Sequence, residues 1–210
     1  QGVPAFDSQG RVYFRSDFEV DNVFRLYRAN IDGTMRAQVA GSSLTNGNGE
    51  ASTGAVGITP DGSTLVFGSD SPTANLYQLH ALDLSGNTAV AISDVAAGLT
   101  PTSSTGPDFA PAIQFSPDGT LAVVRADWPV SADAAVNDWS VFVVPLDGSG
   151  AIRIFAVPMG ANQDVEEAVF SANSARLFVR GDLVANNDNI VASTTDFTTP
   201  DQSATTATLP

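Results

Sequence analysis

The sequence predicts an all-β protein made of four repeated units, each with four short antiparallel strands. The first observation is a hairpin pattern, two apolar runs joined by a tight turn, that occurs four times at intervals of about 55 residues. The copies are FDSQGRVYF from Phe6, ITPDGSTLVF from Ile58, FSPDGTLAVV from Phe115 and FSANSARLFV from Phe170. The second observation is that a further strand ending in Asp follows each hairpin, and the third is that no helical periodicity appears. Four-stranded units of this length are typical of the blades of a β-propeller.

Each predicted blade contains strands a, b, c and d in chain order. Strands a and b form the hairpin, in which the glycine of Asp-Gly accepts the positive φ of a tight turn. Strand c and its terminal Asp are predicted in RLYRANIDG (25–33), NLYQLHALDLSG (75–86), SVFVVPLDGSG (140–150) and NIVASTTDF (189–197). Strand d follows as MRAQVA, TAVAIS, AIRIFA and, weakly, ATTATL. These elements predict one propeller domain over residues 1–210, with blades at about 1–41, 54–94, 110–157 and 165–210.

The repeated motif resembles the TolB-type β-propeller repeat. The segments that begin at Ile58 and Phe115 carry it most closely, with Pro-Asp-Gly between two apolar strands and a later strand that ends in Asp. The first repeat has Asp7-Ser8-Gln9-Gly10 instead, and the fourth has Ala172-Asn173-Ser174, which lacks the turn glycine. The resemblance covers essentially the whole chain. It implies the fold more than an activity, because the family includes periplasmic envelope components, peptidase regulatory domains and lyases. It also implies a bacterial periplasmic or extracellular location.

Four blades are few for this type of propeller. The chain begins with Gln1 rather than Met, starts at a strand a and ends near a strand d. We therefore expect a processed or trimmed chain that is part of a longer propeller, or a four-bladed arc that self-associates or needs neighbouring sequence. A closed four-bladed ring is the less favoured alternative. If the ring is open, the first and last blades expose apolar strand faces, and the candidate residues are Val12, Phe14, Phe178 and Val179.

The composition restricts the partners of the chain. It has 23 acidic and 9 basic residues, no cysteine, and a net charge of −14. This balance opposes nucleic-acid binding, which requires Lys and Arg to displace counterions from phosphate, and it suits cations, basic proteins or simple solubility. The lack of cysteine excludes disulfides and thiolate metal sites within the chain. No apolar run reaches about 18 residues, so no membrane span is predicted.

Most of the acidic residues fall in the b–c and d–a connections, which share one face of a propeller. Strand b ends in Arg-x-Asp in three repeats and in Gly-Ser-Asp in the second, so one Asp recurs in every blade. The structural interpretation is that this Asp caps the loop or pairs with an arginine of a neighbouring blade. The alternative is that these four Asp residues form a ring of carboxylates that binds Ca²⁺. Glu19 and Asp21, at alternate positions of the first b–c loop, are further candidate ligands. The candidate metal residues are Asp17, Glu19, Asp21, Asp70, Asp127 and Asp182.

The sequence offers few residues suited to catalysis. His80 is the single histidine and lies in an apolar strand, where a packed residue is more common than a catalyst. The chain has no Gly-x-Ser-x-Gly nucleophile motif. We therefore expect a non-catalytic binding or scaffolding module with a protein partner, a basic protein being the favoured kind, and no cofactor except Ca²⁺. The alternative is the propeller domain of a larger enzyme, such as a peptidase regulatory domain or a lyase.

Overall fold

The computed structural model describes residues 3–21, 24–40, 51–69, 78–86, 88–93, 113–126, 140–154, 165–181, 190–200 and 206–207 of the chain. Within these ranges, sixteen strands form four antiparallel sheets, and the regular structure contains no helix. Each sheet contains four strands in chain order, so every strand is hydrogen-bonded to the one that follows it in its own blade. The predicted all-β architecture of four four-stranded units is confirmed.

The strands of the first two sheets contain two to eight residues. The first sheet contains β1 (Ala5–Phe6), β2 (Arg11–Ser16), β3 (Arg25–Asn30) and β4 (Ala37–Gln38). The second contains β5 (Ala51–Ile58), β6 (Thr64–Ser69), β7 (Gln78–Asp83) and β8 (Ala89–Ala91). In both sheets, the two inner strands pair over six residues, and the flanking strands pair over fewer.

The third and fourth sheets repeat this arrangement. The third contains β9 (Gln114–Phe115), β10 (Leu121–Ala126), β11 (Ser140–Pro145) and β12 (Ile152–Arg153). The fourth contains β13 (Val165–Phe170), β14 (Leu177–Gly181), β15 (Ile190–Thr194) and β16 (Thr206–Ala207). The second strands of the four sheets occupy equivalent positions, because each follows an a–b turn that is closed by the same kind of backbone hydrogen bond. These strands are β2, β6, β10 and β14.

A shared backbone hydrogen bond closes the a–b turn of every blade. The amide before the turn donates to the carbonyl after it, at Asp7–Arg11, Thr59–Thr64, Ser116–Leu121 and Ser171–Arg176. A residue within each turn has positive φ: Gly10, Gly62 and Gly119 in the first three blades, and Ser174, with φ of 59°, in the fourth. The fourth turn therefore keeps the left-handed conformation although its glycine is missing, with the steric cost that a Cβ adds there.

Three apolar cores join the sheets in succession. Tyr13 and Leu26 of the first sheet pack with Leu65 of the second, and Val66 of the second packs with Phe142 of the third. The third and fourth sheets meet in another core, which includes Val123, Val143, Leu177 and Val179. Because side chains alternate along a strand, each inner sheet buries both of its faces, one against each neighbour. Among the described residues, no core joins the fourth sheet to the first.

The prediction that Val179 is exposed is wrong. Val179 is 1% exposed and belongs to the core between the third and fourth sheets. Phe178 and Val179 are consecutive in β14, so they point to opposite faces, and only Phe178 faces away from the third sheet. Val12 and Phe14, on the far side of the first sheet, are half-buried.

A search of the described residues for apolar helices long enough to cross a membrane finds none.

Candidate functional site

The loop after β2 carries three of the predicted metal residues. Asp17 is half-buried, whereas Glu19 and Asp21 are exposed. The Nη1 atom of Arg25 donates to Oε2 of Glu19 at 2.8 Å, and both side chains are substantially open to solvent. An ion pair in such a position contributes little to folding stability, so it orients the loop more than it stabilises the fold.

The other predicted members of the carboxylate ring, Asp70, Asp127 and Asp182, lie outside the described residues. The ring itself therefore stays a prediction. Two arginines of the recurring Arg-x-Asp pattern have defined contacts: the Cζ atom of Arg15 lies 3.4 Å from the ring centroid of Phe24, and Nε of Arg180 lies 3.5 Å from Oε2 of Glu167. Across the described part of the chain, no three His, Asp or Glu side chains converge as a metal-binding group.

Aromatic residues form a cluster beside the acidic loop, which the sequence analysis did not identify. The ring of Phe18 lies 6.0 Å from that of Phe14 and 5.3 Å from that of Tyr27, both edge to face. Phe14 and Tyr27, which are directly paired between β2 and β3, stack with centroids 6.2 Å apart. The guanidinium of Arg36 lies 4.4 Å from the centroid of Phe18. Phe18 is nevertheless 53% exposed, so the acidic loop also presents an aromatic surface.

The Tyr27 side chain gives this cluster a buried polar group. Its hydroxyl has no hydrogen-bond partner among the residues that the structure describes, and burial raises the pKa of the phenol. A buried polar atom without a partner is uncommon in folded proteins. The sequence signal for the surface was the alternation in Asp17–Asp21, where exposed Phe18 and Val20 occupy the positions between the acids. A solvated hairpin loop has no need for apolar residues at those positions.

A second group of acids, the turn aspartates, has a structural role. Each accepts hydrogen bonds from backbone or side-chain donors of its own turn, and these bonds lower the pKa of its carboxyl group. At Asp7, burial raises the pKa, but the hydrogen bonds from Arg11 and Gln9 outweigh it and the pKa is lowered. Asp118, for example, accepts from the Ser116 hydroxyl and from the amide and hydroxyl of Thr120. The turn aspartates are Asp7, Asp32, Asp61, Asp83, Asp118, Asp147 and Asp196. Because their oxygens are engaged in the turns, they are poor candidates for ligand binding.

The single histidine belongs to the interior of the protein. His80 is buried, and its ring stacks on Phe67 with centroids 5.8 Å apart. Phe67 and His80 are directly paired between β6 and β7 and share the face of the second sheet that packs against the first. A residue in this position contributes to packing and is inaccessible to a substrate in solution.

Four-stranded sheets that pack face to face in succession define the β-propeller class, and this chain has that fold. The structure of TolB from Acinetobacter baumannii is similar, with a TM-score of 0.56 and 16% identity over 98% of this chain and 43% of that chain. A nidogen/laminin complex gives a TM-score of 0.54 and 14% identity, over 92% of this chain and 59% of that chain. A gluconolactonase from Xanthomonas campestris gives a TM-score of 0.54 and 17% identity, over 96% of this chain and 60% of that chain.

These likenesses define the fold and leave the activity open, because identities this low are shared by propellers with unrelated functions. The chain spans about half the length of the solved structures it matches. Comparison with the profiles of known protein families gives no match, and comparison with curated protein sequences gives none either.

Proposed function

We propose that the chain is a non-catalytic β-propeller module of the TolB type that binds a basic protein partner through the loop after β2. The observation that supports this most directly is the exposure of Phe18 and Val20 between Asp17, Glu19 and Asp21. Aromatic residues are enriched at the centres of protein interfaces, and charged residues at their rims attract partners of opposite charge. The TolB-type repeats support a bacterial periplasmic or extracellular location for this module.

The charge of the whole chain favours the same kind of partner. A net charge of −14 produces a negative potential that accelerates the approach of cationic proteins. The partner surface that fits the loop combines Lys or Arg with an apolar side chain, since Phe18 and the flanking carboxylates are presented together. Binding of this kind weakens as salt concentration rises, because the exposed charges are screened.

A selection from a displayed library of random short peptides tests this proposal. We expect the selected peptides to combine basic and apolar residues, and the synthetic peptides to bind the wild-type chain in fluorescence anisotropy. The F18S variant should bind about 10-fold more weakly or worse, as expected for loss of an aromatic anchor. V90S is the matched control, because Val90 is equally exposed on another blade. Equal affinity of the peptides for the wild type and F18S would refute the proposed site.

A second candidate function is Ca²⁺ binding by the same loop, favoured by the alternation of Asp17, Glu19 and Asp21. The ion pair of Glu19 with Arg25 has to open or rearrange for Glu19 to serve as a ligand. The test is thermal unfolding during a Ca²⁺ titration at constant ionic strength, with Mg²⁺ as the control. A site that exists only in the folded state raises the melting temperature with Ca²⁺ concentration. If Ca²⁺ acts no more strongly than monovalent salt, this second function is wrong and the acidic surface serves solubility or docking.

The module also self-associates or packs against further blades in this proposal. Phe6 on the first sheet and Phe178 on the fourth are exposed apolar residues on strand faces, and neither belongs to an inter-sheet core. Surfaces of this kind on a soluble protein are typical of interfaces.

A further inference from the structure

We propose that an arginine of the basic partner replaces Arg36 on the ring of Phe18, so that Arg36 is an internal competitor for the binding site. This inference rests on the partner-binding function proposed above, and it specifies the group that the site accepts and the residue that limits its affinity. It starts from two contacts in which the chain's own arginines occupy acceptors of the loop after β2. The Cζ atom of Arg36 lies 4.4 Å from the ring centroid of Phe18, and Nη1 of Arg25 lies 2.8 Å from Oε2 of Glu19.

The register of the first sheet brings Arg36 to Phe18. Ala37, the first residue of β4, pairs with Arg28 of β3, so the residue before it, Arg36, shares a face with Tyr27. Phe18 reaches the same face from the loop, where its ring centroid lies 5.3 Å from that of Tyr27. The guanidinium and the ring therefore meet from two different connections of the blade, and either side chain can leave the contact without disturbing the strand pairing.

The contact between Arg36 and Phe18 is open to solvent and therefore exchangeable. Arg36 is exposed, and Phe18 is 53% exposed. An exposed cation–π contact favours the associated arrangement by only about two- to five-fold over the separated groups. The ion pair of Arg25 with Glu19 is also exposed and correspondingly weak. A partner that forms several contacts at once can displace Arg36 at little cost.

Electrostatics favours replacement of Arg36 over binding beside it. A second cation at the same ring is repelled by the guanidinium of Arg36, because like charges a few ångströms apart destabilise each other. Arginine is the side chain that best reproduces the contact, since its planar guanidinium stacks on aromatic rings and also forms paired hydrogen bonds with carboxylates. Asp17 and Glu19 flank Phe18 in the sequence and supply such carboxylates. Lysine is a compact, strongly hydrated point charge that cannot stack in this way.

Fluorescence anisotropy with two defined peptides tests this proposal. The probes are fluorescein-labelled peptides that repeat Arg-Leu or Lys-Leu and differ only in the cationic group. At physiological ionic strength, the wild type should bind the arginine peptide about three-fold or more tightly than the lysine peptide. R36Q should bind the arginine peptide about two- to five-fold more tightly than the wild type, because no internal contact has to break.

R28Q is the matched control for the charge that R36Q removes. Arg28 is exposed like Arg36, but it alternates with Tyr27 along β3 and so lies on the opposite face of the strand. Its removal should leave the affinity close to that of the wild type, since distant exposed charges are screened by salt. Both substitutions are at exposed positions, so both variants should keep the wild-type melting temperature.

The F18S variant distinguishes failure of this inference from failure of the proposed function. The gain from R36Q should be absent when R36Q is combined with F18S. If F18S weakens binding but R36Q binds no more tightly than R28Q, or if the wild type binds both peptides equally, only this inference is overturned. If F18S binds both peptides as tightly as the wild type, the site is wrong and both proposals fail. If neither peptide binds the wild type or R36Q, this inference is overturned, and the library selection still decides the proposed function.

Discussion

The fourth turn gives a prediction in which two opposing effects can be separated. Ser174 has positive φ, where a Cβ costs about 1–2 kcal/mol, and its Oγ accepts a hydrogen bond from the Asp118 amide of the third blade at 3.1 Å. S174A removes the hydrogen bond and keeps the strained backbone. S174G removes both the hydrogen bond and the strain. The difference between the two variants therefore measures the cost of the left-handed backbone less the entropic cost of glycine, because the lost hydrogen bond is common to both.

The expected magnitudes decide the order of stability. Loss of an exposed hydrogen bond costs about 0.5–1 kcal/mol, so S174A should be less stable than the wild type by about that amount. Glycine regains about 1–2 kcal/mol of strain and loses about 0.5–1 kcal/mol through its greater freedom in the unfolded chain. S174G should therefore be about 0.5–1 kcal/mol more stable than S174A and close to the wild type. For a chain of this length, about 1 kcal/mol shifts the melting temperature by roughly 2–4 °C.

Urea unfolding followed by fluorescence or circular dichroism measures these differences. A175G is the matched control, because Ala175 is a neighbouring exposed residue of the same turn without positive φ. Glycine at that position should leave stability unchanged or lower it, for entropic reasons. If S174G is no more stable than S174A, then the steric cost of the left-handed turn does not exceed the entropic cost of glycine, and the reasoning is refuted.

Three further predictions concern packing and pH. A Cβ on Gly57 would lie 2.8 Å from Cε2 of Phe115 in the next sheet, so G57A should destabilise the chain by about 1–3 kcal/mol in urea unfolding, whereas G86A, with no such close contact, should have a smaller effect. Phe142 is fully buried, so F142A should cost about 3–5 kcal/mol, against less than about 0.5 kcal/mol for I31A at an exposed position. The pKa values of the seven turn aspartates lie below the ordinary 3.8 in the folded chain. Their ionised carboxylates therefore contribute fully to folding stability above about pH 4, and this contribution is lost as the pH falls through the folded pKa values. A melting temperature that stays constant below about pH 4 would contradict this prediction.

The fold was predictable because the repeat carries its own turn chemistry. Each hairpin has a hydroxyl or carboxylate residue before the turn and alternating apolar residues after it, and these features specify both register and buried faces. The missing glycine of the fourth turn did not change the outcome, since Ser174 adopts the required conformation. What the sequence did not resolve was which neighbour covers each face. Val179 was assigned to the exposed side together with Phe178, although adjacent strand residues cannot share a face.

The candidate site was harder to predict because its aromatic residues come from two strands and a loop, and no sequence motif links them. Phe14 and Tyr27 belong to two different strands and meet only through the register of β2 and β3, and Phe18 joins them from the loop. The acidic residues of that loop were evident from the sequence, but whether they act with Asp70, Asp127 and Asp182 depends on parts of the chain outside the described residues. The sequence thus identified the charge of the surface and missed its aromatic component.

The residues that recur in every blade and the residues that depart from the repeat have different roles. The turn aspartates recur, and their hydrogen bonds are satisfied within their own turns, so they explain how each hairpin closes and nothing about a partner. Phe18 lies between Asp17 and Glu19 and belongs to none of the inter-sheet cores that the described residues form, and Phe178 is exposed at a position that the first three blades bury. In a fold built from repeats, a residue that is not needed by the shared architecture requires another explanation. For Phe18, the explanation that we propose is contact with a basic partner.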